Sequence, residues 1–113
     1  MSMVLVFAAL SGAIAVGAGA FGAHGASGDA ADWLKTGAQY QLLHAVAALV
    51  AAQMGARGPG LVFVIGAAIF AGTLYLMALG LPRWLGAITP IGGAMLIIGW
   101  LWLAVTLATT KSN

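Results

Sequence analysis

The chain alternates four long apolar runs with short polar breaks. A helix needs about 20 apolar residues to cross the hydrocarbon of a bilayer. On that measure the runs predict helices over about residues 3–23, 36–54, 60–81 and 84–109. The separators hold the charges and the helix breakers. The 24–35 loop ("HGASGDAADWLK") carries Asp29, Asp32 and Lys35, "GARGPG" carries Arg57 and Pro59, "GLPRW" carries Pro82 and Arg83, and "TTKSN" carries Lys111. The last two links between runs are so short that neighbouring helices have to pack antiparallel. The expected fold is all-α: an integral membrane four-helix up-down bundle, one domain over residues 1–113.

Composition points the same way. The chain is 63% hydrophobic and 5% charged, against roughly 25% charged for a soluble domain, so its polar groups are too few to cover a water-facing surface. A net charge of +2, with no basic run, gives no basis for a nucleic-acid partner. The absence of cysteine excludes disulfides, thiolate metal sites and cysteine nucleophiles. The first run has the small residues of a signal-peptide cleavage site but no Lys or Arg before it, so it is expected to stay as a membrane helix.

Four spans put the N-terminus, Arg57 and Lys111 on one side of the membrane, and Asp29, Asp32, Lys35 and Arg83 on the other. Lys and Arg divide equally, so the positive-inside rule does not decide orientation. The acid-free side, with both termini, is the expected cytoplasmic side of a cell inner membrane. Trp33 and Trp84 fall at one boundary, Trp100 and Trp102 near the other, the pattern of an aromatic belt that anchors.

Small residues mark close packing. In the first run the pairs Ala8/Gly12, Ala15/Gly19 and Ala18/Gly22 stand four apart, and in lipid such residues let helices approach. Gly72 is assigned the same role in the third run. In the fourth run, Pro90 has no amide hydrogen, so a continuous helix leaves the carbonyl of Gly86 without its donor, and Gly92 and Gly93 loosen the next turn. This is either a kink or a broken helix lining a cavity, as in transporters.

The polar side chains of the runs gather at one depth. His24 ends the first run, Gln39, Tyr40, Gln41 and His44 open the second, Thr73 and Tyr75 lie late in the third, and Thr89 lies early in the fourth. At 1.5 Å per residue, His44, Tyr75 and Thr89 sit about 8–12 Å below the same boundary. Tyr40 and His44 are four apart and share a helical face. These eight are the candidate ligand-binding residues. Two readings stand side by side: a purely structural set of interhelical hydrogen bonds, or a functional layer. Two histidines fall short of the three or four ligands zinc takes, and no serine–histidine–acid set exists within the runs. No metal ligand, catalytic residue or cofactor is therefore assigned, and no enzyme activity is expected.

In order along the chain, "GAFGAHG", "TGAQYQLLHA", "GTLYLMAL" and "RWLGAITPIGG" resemble the small four-helix membrane proteins of the domain of unknown function 423 family, whose eukaryotic relatives are called transmembrane protein 256. The resemblance covers nearly the whole chain. It implies a four-span bacterial inner-membrane protein and no known activity. The motif residues are Gly22, His24, Gln39, Tyr40, Gln41, His44, Gly72, Tyr75, Thr89, Pro90 and Gly92, and Thr73 stands where the usual motif has serine, keeping the hydroxyl. Two functions follow as expectations. One is a binding or accessory protein whose polar layer holds a lipid, a quinone-like ligand or a partner helix. The other is a transporter or channel for a small solute or proton, which at this size has to work as an oligomer. The expected partners are membrane lipids and a homo-oligomer or larger membrane complex.

Overall fold

The computed structural model describes residues 3–110, all helices and connections. Helix α1 spans Met3–His24, α2 spans Gly28–Gln53, α3 spans Arg57–Ala78, and a short 3₁₀ segment, Arg83–Ala87, leads into α4, Thr89–Thr109. Lys111, expected on the same side as Arg57, lies outside the described residues.

Two helix ends are set by glycine. After α2, Gly55 takes φ +84, which lets its amide donate to Ala52 O (3.1 Å) and the amide of Ala56 to Ala51 O (2.8 Å). After α3, Gly80 takes φ +102, and the amides of Gly80 and Leu81 donate to Met77 O and Leu76 O, both at 3.0 Å. This paired pattern satisfies the last carbonyls of a helix and needs a left-handed residue that only glycine adopts cheaply.

Helices α2 and α3 form the central pair, α1 lies mainly on α2 and α4 mainly on α3. Each consecutive pair runs antiparallel where it touches. Gly12, Gly19 and Gly22 of α1 face Ala45, Ala38 and Leu34 of α2. A Cβ on Gly22 would stand 2.9 Å from Leu34 Cβ, so the expected close approach of the glycine-rich first helix is present. Gly37 of α2 lies under the Tyr75 ring of α3, and Gly99 of α4 makes the notch for Phe63, the largest fully buried side chain. The core joins Ala8, Ala48, Phe63, Ala67, Leu96 and Leu103 from all four helices. In lipid such contacts act through dispersion and fit, because lipid tails are as apolar as the side chains they replace.

Several sequence expectations need correction. Helix α2 starts at Gly28, eight residues before the expected 36, so the 24–35 loop shrinks to a link after His24 and Asp29, Asp32 and Lys35 ride on the first two turns of α2. The segment reads polar, yet Asp29 occupies the first turn and Ala31, Leu34 and Ala38 recur at helical spacing on the buried face. Helix α3 runs from 57 to 78 rather than 60 to 81, with Pro59 accommodated in its first turn. Pro90 stands where the fourth span, Arg83–Thr109, changes from a 3₁₀ segment to α4, and it lines a groove between α2 and α4. It sits at the first positions of α4, where its missing amide hydrogen costs nothing, and the chain before it is 3₁₀. Gly72 is no close-packing point, since a Cβ there would meet nothing within 4 Å, and Gly93 makes only ordinary contact with Phe70.

Three stretches, Met3–His24, Arg57–Ala78 and Arg83–Thr109, are long and apolar enough to cross a membrane. Helix α2 is long enough but carries Lys35, Gln39, Gln41, His44 and Gln53 among its apolar residues. Large apolar side chains are exposed on every helix, including Phe7 and Phe21 of α1, Leu43 of α2, Ile65 of α3 and Ile98 of α4. That is an outer surface suited to lipid.

Candidate functional site

Three hydrogen-bonded links cross between helices at the depth where the polar residues gather. The first centres on Gln41, which is 4% exposed. Its Nε2 donates to Ser11 Oγ at 3.1 Å, and its Oε1 accepts from the Tyr75 hydroxyl at 2.7 Å. One amide therefore ties α1, α2 and α3 together with a donor and an acceptor each used.

One helical turn on, His44 is also 4% exposed. The Trp100 indole Nε1–H donates to His44 Nε2 at 2.9 Å, and His44 Nδ1 lies 2.7 Å from the Tyr40 carbonyl. An indole nitrogen only donates, so Nε2 must be unprotonated and the proton of a neutral ring sits on Nδ1, where it donates to Tyr40 O. Rings close around this pair. Tyr40 stacks parallel to His44 with centroids 6.3 Å apart, and Phe63 packs at 5.6 Å from His44 and 4.7 Å from Trp100. The ring faces the bundle interior and bonds a side chain of another helix. It points towards α3 and α4, because residues 41 and 44 lie 60° apart on the helix and only the former faces α1.

The third link joins the hydroxyls of Thr73 and Thr89, clasping α3 to the start of α4. Thr73 Oγ1 also reaches the carbonyls of Ile69 and Phe70, and Thr89 Oγ1 that of Leu85, so each hydroxyl proton has an acceptor.

Five of the eight sequence candidates, Gln41, His44, Thr73, Tyr75 and Thr89, are thus drawn into interhelical bonds. The other three are not. His24 is exposed at the end of α1, with no side-chain hydrogen bond among the described residues, because the close α1–α2 packing ends at Gly22. Gln39 is exposed on the outer side of α2, and Tyr40 keeps its ring on His44 and Phe70 while its hydroxyl has no partner among the described residues. Sequence reading missed two participants. Ser11 is not among the polar residues the sequence groups at that depth, and Trp100 falls in the pattern of an interfacial anchor. The long α2 shifts the helices' relative levels, and apolar runs alone do not reveal that offset.

Outside the ends of the bundle, Arg83 Nη2 pairs with Asp29 Oδ2 at 3.0 Å and lies 5.1 Å over the Trp33 ring. This joins the start of α2 to the link before α4, with both charged groups well exposed.

Because α2 and α4 both lean on α3, a groove opens between them. Its volume is about 560 Å³, and Tyr40, His44, Phe70, Leu96 and Trp100 line it. Phe70 forms the floor, and Gly93 and Ala94 keep the α4 wall low. No charged residue lines it. Its size falls in the range of small-molecule sites, and its walls are aromatic and aliphatic with a single uncommitted hydroxyl, that of Tyr40.

The family model described as "Protein of unknown function (DUF423)" matches residues 18–93, which include every residue of the three links except Ser11 and Trp100. A UPF0382 membrane protein of Staphylococcus epidermidis is 40% identical, with 98% of each chain covered. One from Bacillus subtilis is 35% identical, over 93% of this chain and 95% of its own. The UPF0382 inner membrane protein of Escherichia coli is 37% identical, over 86% of this chain and 82% of its own. No solved structure matches. An all-α chain with three membrane-length apolar helices, matched end to end by such relatives, belongs to the DUF423 family of UPF0382 membrane proteins.

Proposed function

We propose that the chain is a four-span membrane protein that holds one bilayer amphiphile in the groove between α2 and α4, without catalysing a reaction. Four spans follow if α2 crosses shielded by its neighbours. Of its two most buried polar side chains, Gln41 uses one donor and its acceptor and His44 uses both ring nitrogens, which lowers the cost of taking them into hydrocarbon. An even number of crossings puts both termini on one side, the cytoplasmic one in this reading.

The observation that carries the binding role is the aromatic groove beside three interhelical links whose side chains are already paired. Side chains bonded to one another serve as staples and have little left to offer a ligand. The groove is different: about 560 Å³ of uncharged space open at the apolar surface, lined in part by Tyr40, whose hydroxyl has no partner among the described residues. A lipid tail or the flat ring of a quinone-like molecule fits such walls, and one hydroxyl or carbonyl on it would pair with Tyr40. Transport draws its support from the two histidines and the break in the fourth span. His44 is held at both ring nitrogens, so binding is the better supported reading.

Organic extraction of the purified chain, followed by mass spectrometry, tests this. The expected result is one class of amphiphile enriched over bulk lipid, and loss of that enrichment in Gly93→Leu, whose side chain fills the groove. An extract identical to bulk lipid in both proteins contradicts the proposal.

A further inference from the structure

The groove between α2 and α4 has a definite inner end. From Pro90 its lining runs along α4 and stops at Trp100, about 15 Å on. On α2 it stops at His44. These two last residues are the pair bonded to each other, indole Nε1–H to imidazole Nε2 at 2.9 Å. Among the described residues, this is the one side-chain hydrogen bond that joins α2 to α4. The indole therefore lies across the slot as a bar. Phe63 of α3 backs it, a fully buried ring with its centroid 4.7 Å away.

The helices themselves do not close the slot. The next residues on the same faces are small: Ala47 and Ala48 follow His44 by three and four, and Ala104 follows Trp100 by four. Without the indole the slot would run on by one helical turn, about 5 Å. The chemistry of this end is also plain. The indole N–H and both imidazole nitrogens are already used, and no charged residue lines the groove. What meets the ring is hydrocarbon. The Pro90 end lies towards Arg83 and Asp29, the charged end of the bundle, so an amphiphile sits with its head there and its chain leading to Trp100.

We propose that Trp100 and His44 form the length gauge of the groove, selecting the hydrocarbon chain that ends against the indole. Trp100 touches the chain, and His44 is a positioning residue that acts through Trp100. The gauge rests on the binding role of the groove and adds which part of the ligand is selected. A shorter chain stops before the ring and forgoes its dispersion contacts. A longer chain has to displace the indole, which separates indole from imidazole where lipid offers neither a replacement partner. Retention therefore peaks at one chain length and falls on both sides of it.

Monoacylglycerols of increasing chain length, whose uncharged heads suit the uncharged groove, test the gauge. They are offered together to the full-length protein in nanodiscs and read by native mass spectrometry. The wild type retains one length about tenfold better than chains about 5 Å shorter or longer. Trp100→Ala moves the peak to chains about 5 Å longer. Ile97→Trp sets an indole one turn nearer Pro90 on the groove wall, moves the peak about as far to shorter chains, and decides the matter if Trp100→Ala does not fold. His44→Phe keeps the indole but not its anchor, and the peak flattens to within about twofold across those lengths. Position and width of the peak are the readouts, since a purely structural pair would change only the total retained. An unmoved peak in Trp100→Ala and Ile97→Trp, or no peak in the wild type, overturns the gauge and leaves the binding role standing. An unflattened peak in His44→Phe overturns the part given to His44. Retention of no length by the wild type overturns the gauge, and the binding role falls with it only if the organic extract is also identical to bulk lipid.

Discussion

Trp100 donates its indole proton to His44 Nε2 at 2.9 Å and so fixes which nitrogen of a neutral His44 carries the proton. The bond joins α2 to α4 across the inner wall of the groove, where these helices otherwise diverge. Deleting either partner leaves the other with an orphaned polar atom. A double-mutant cycle of His44→Phe and Trp100→Phe, read by reversible unfolding in mixed micelles, is expected to give a coupling of about 0.5–1.5 kcal/mol. Additive single effects contradict the link.

Gln41 serves two bonds and Ser11 one, so their losses have a definite order. Gln41→Leu orphans the Tyr75 hydroxyl and the Ser11 hydroxyl together, at about 1–3 kcal/mol. Ser11→Ala leaves the Tyr75 bond intact and costs below about 1 kcal/mol. Tyr75→Phe falls between them. Unfolding free energies in the reverse order contradict the three-helix bridge.

Two adjacent glycines of α4 are expected to respond oppositely to alanine. A Cβ on Gly92 would lie 2.7 Å from the carbonyl oxygen of Gly66 and 2.9 Å from Phe70 Cα, backbone atoms that cannot swing aside. Gly92→Ala therefore forces α3 and α4 apart, at about 1–3 kcal/mol. A Cβ on Gly93 meets only the Phe70 ring at 3.7 Å, so Gly93→Ala is neutral or stabilising by up to about 1 kcal/mol. Comparable destabilisation by both contradicts the α3–α4 contact described.

Arg83 and Asp29 pair at the exposed end of the bundle. Exposed pairs contribute about 0–1 kcal/mol and are screened by salt. Arg83→Ala is expected to lower stability by below about 1 kcal/mol, with the difference shrinking in high salt. A larger, salt-independent loss indicates that the Trp33 contact carries the joint.

The sequence made the helices legible through their apolar runs and glycine–proline breaks, and it made the α1–α2 approach legible through Gly19 and Gly22. It also located the polar layer, since Gln41, His44, Thr73, Tyr75 and Thr89 proved to bond across helices. It hid the start of α2, because length was measured in apolar residues and Asp29, Asp32 and Lys35 belong to turns more polar than hydrocarbon allows. It hid the place of Pro90, because a proline at a helix start and one in a helix interior differ only in what precedes them. Ser11 and Trp100 went unassigned because their partners depend on the relative heights of helices, which follow from packing at Gly22, Gly92 and Gly99 together. His24 ends the first apolar run, yet it lies past the last close contact with α2, at Gly22.

The central claim is that the groove between α2 and α4 holds one amphiphile. Native mass spectrometry of the intact chain released from nanodiscs tests it most directly. The account predicts one retained amphiphile per chain in the wild type, retention at least tenfold lower in Gly93→Leu, and unchanged retention in Ile98→Leu, on the exposed face of α4. Equal retention in all three proteins, or none in the wild type, would contradict it.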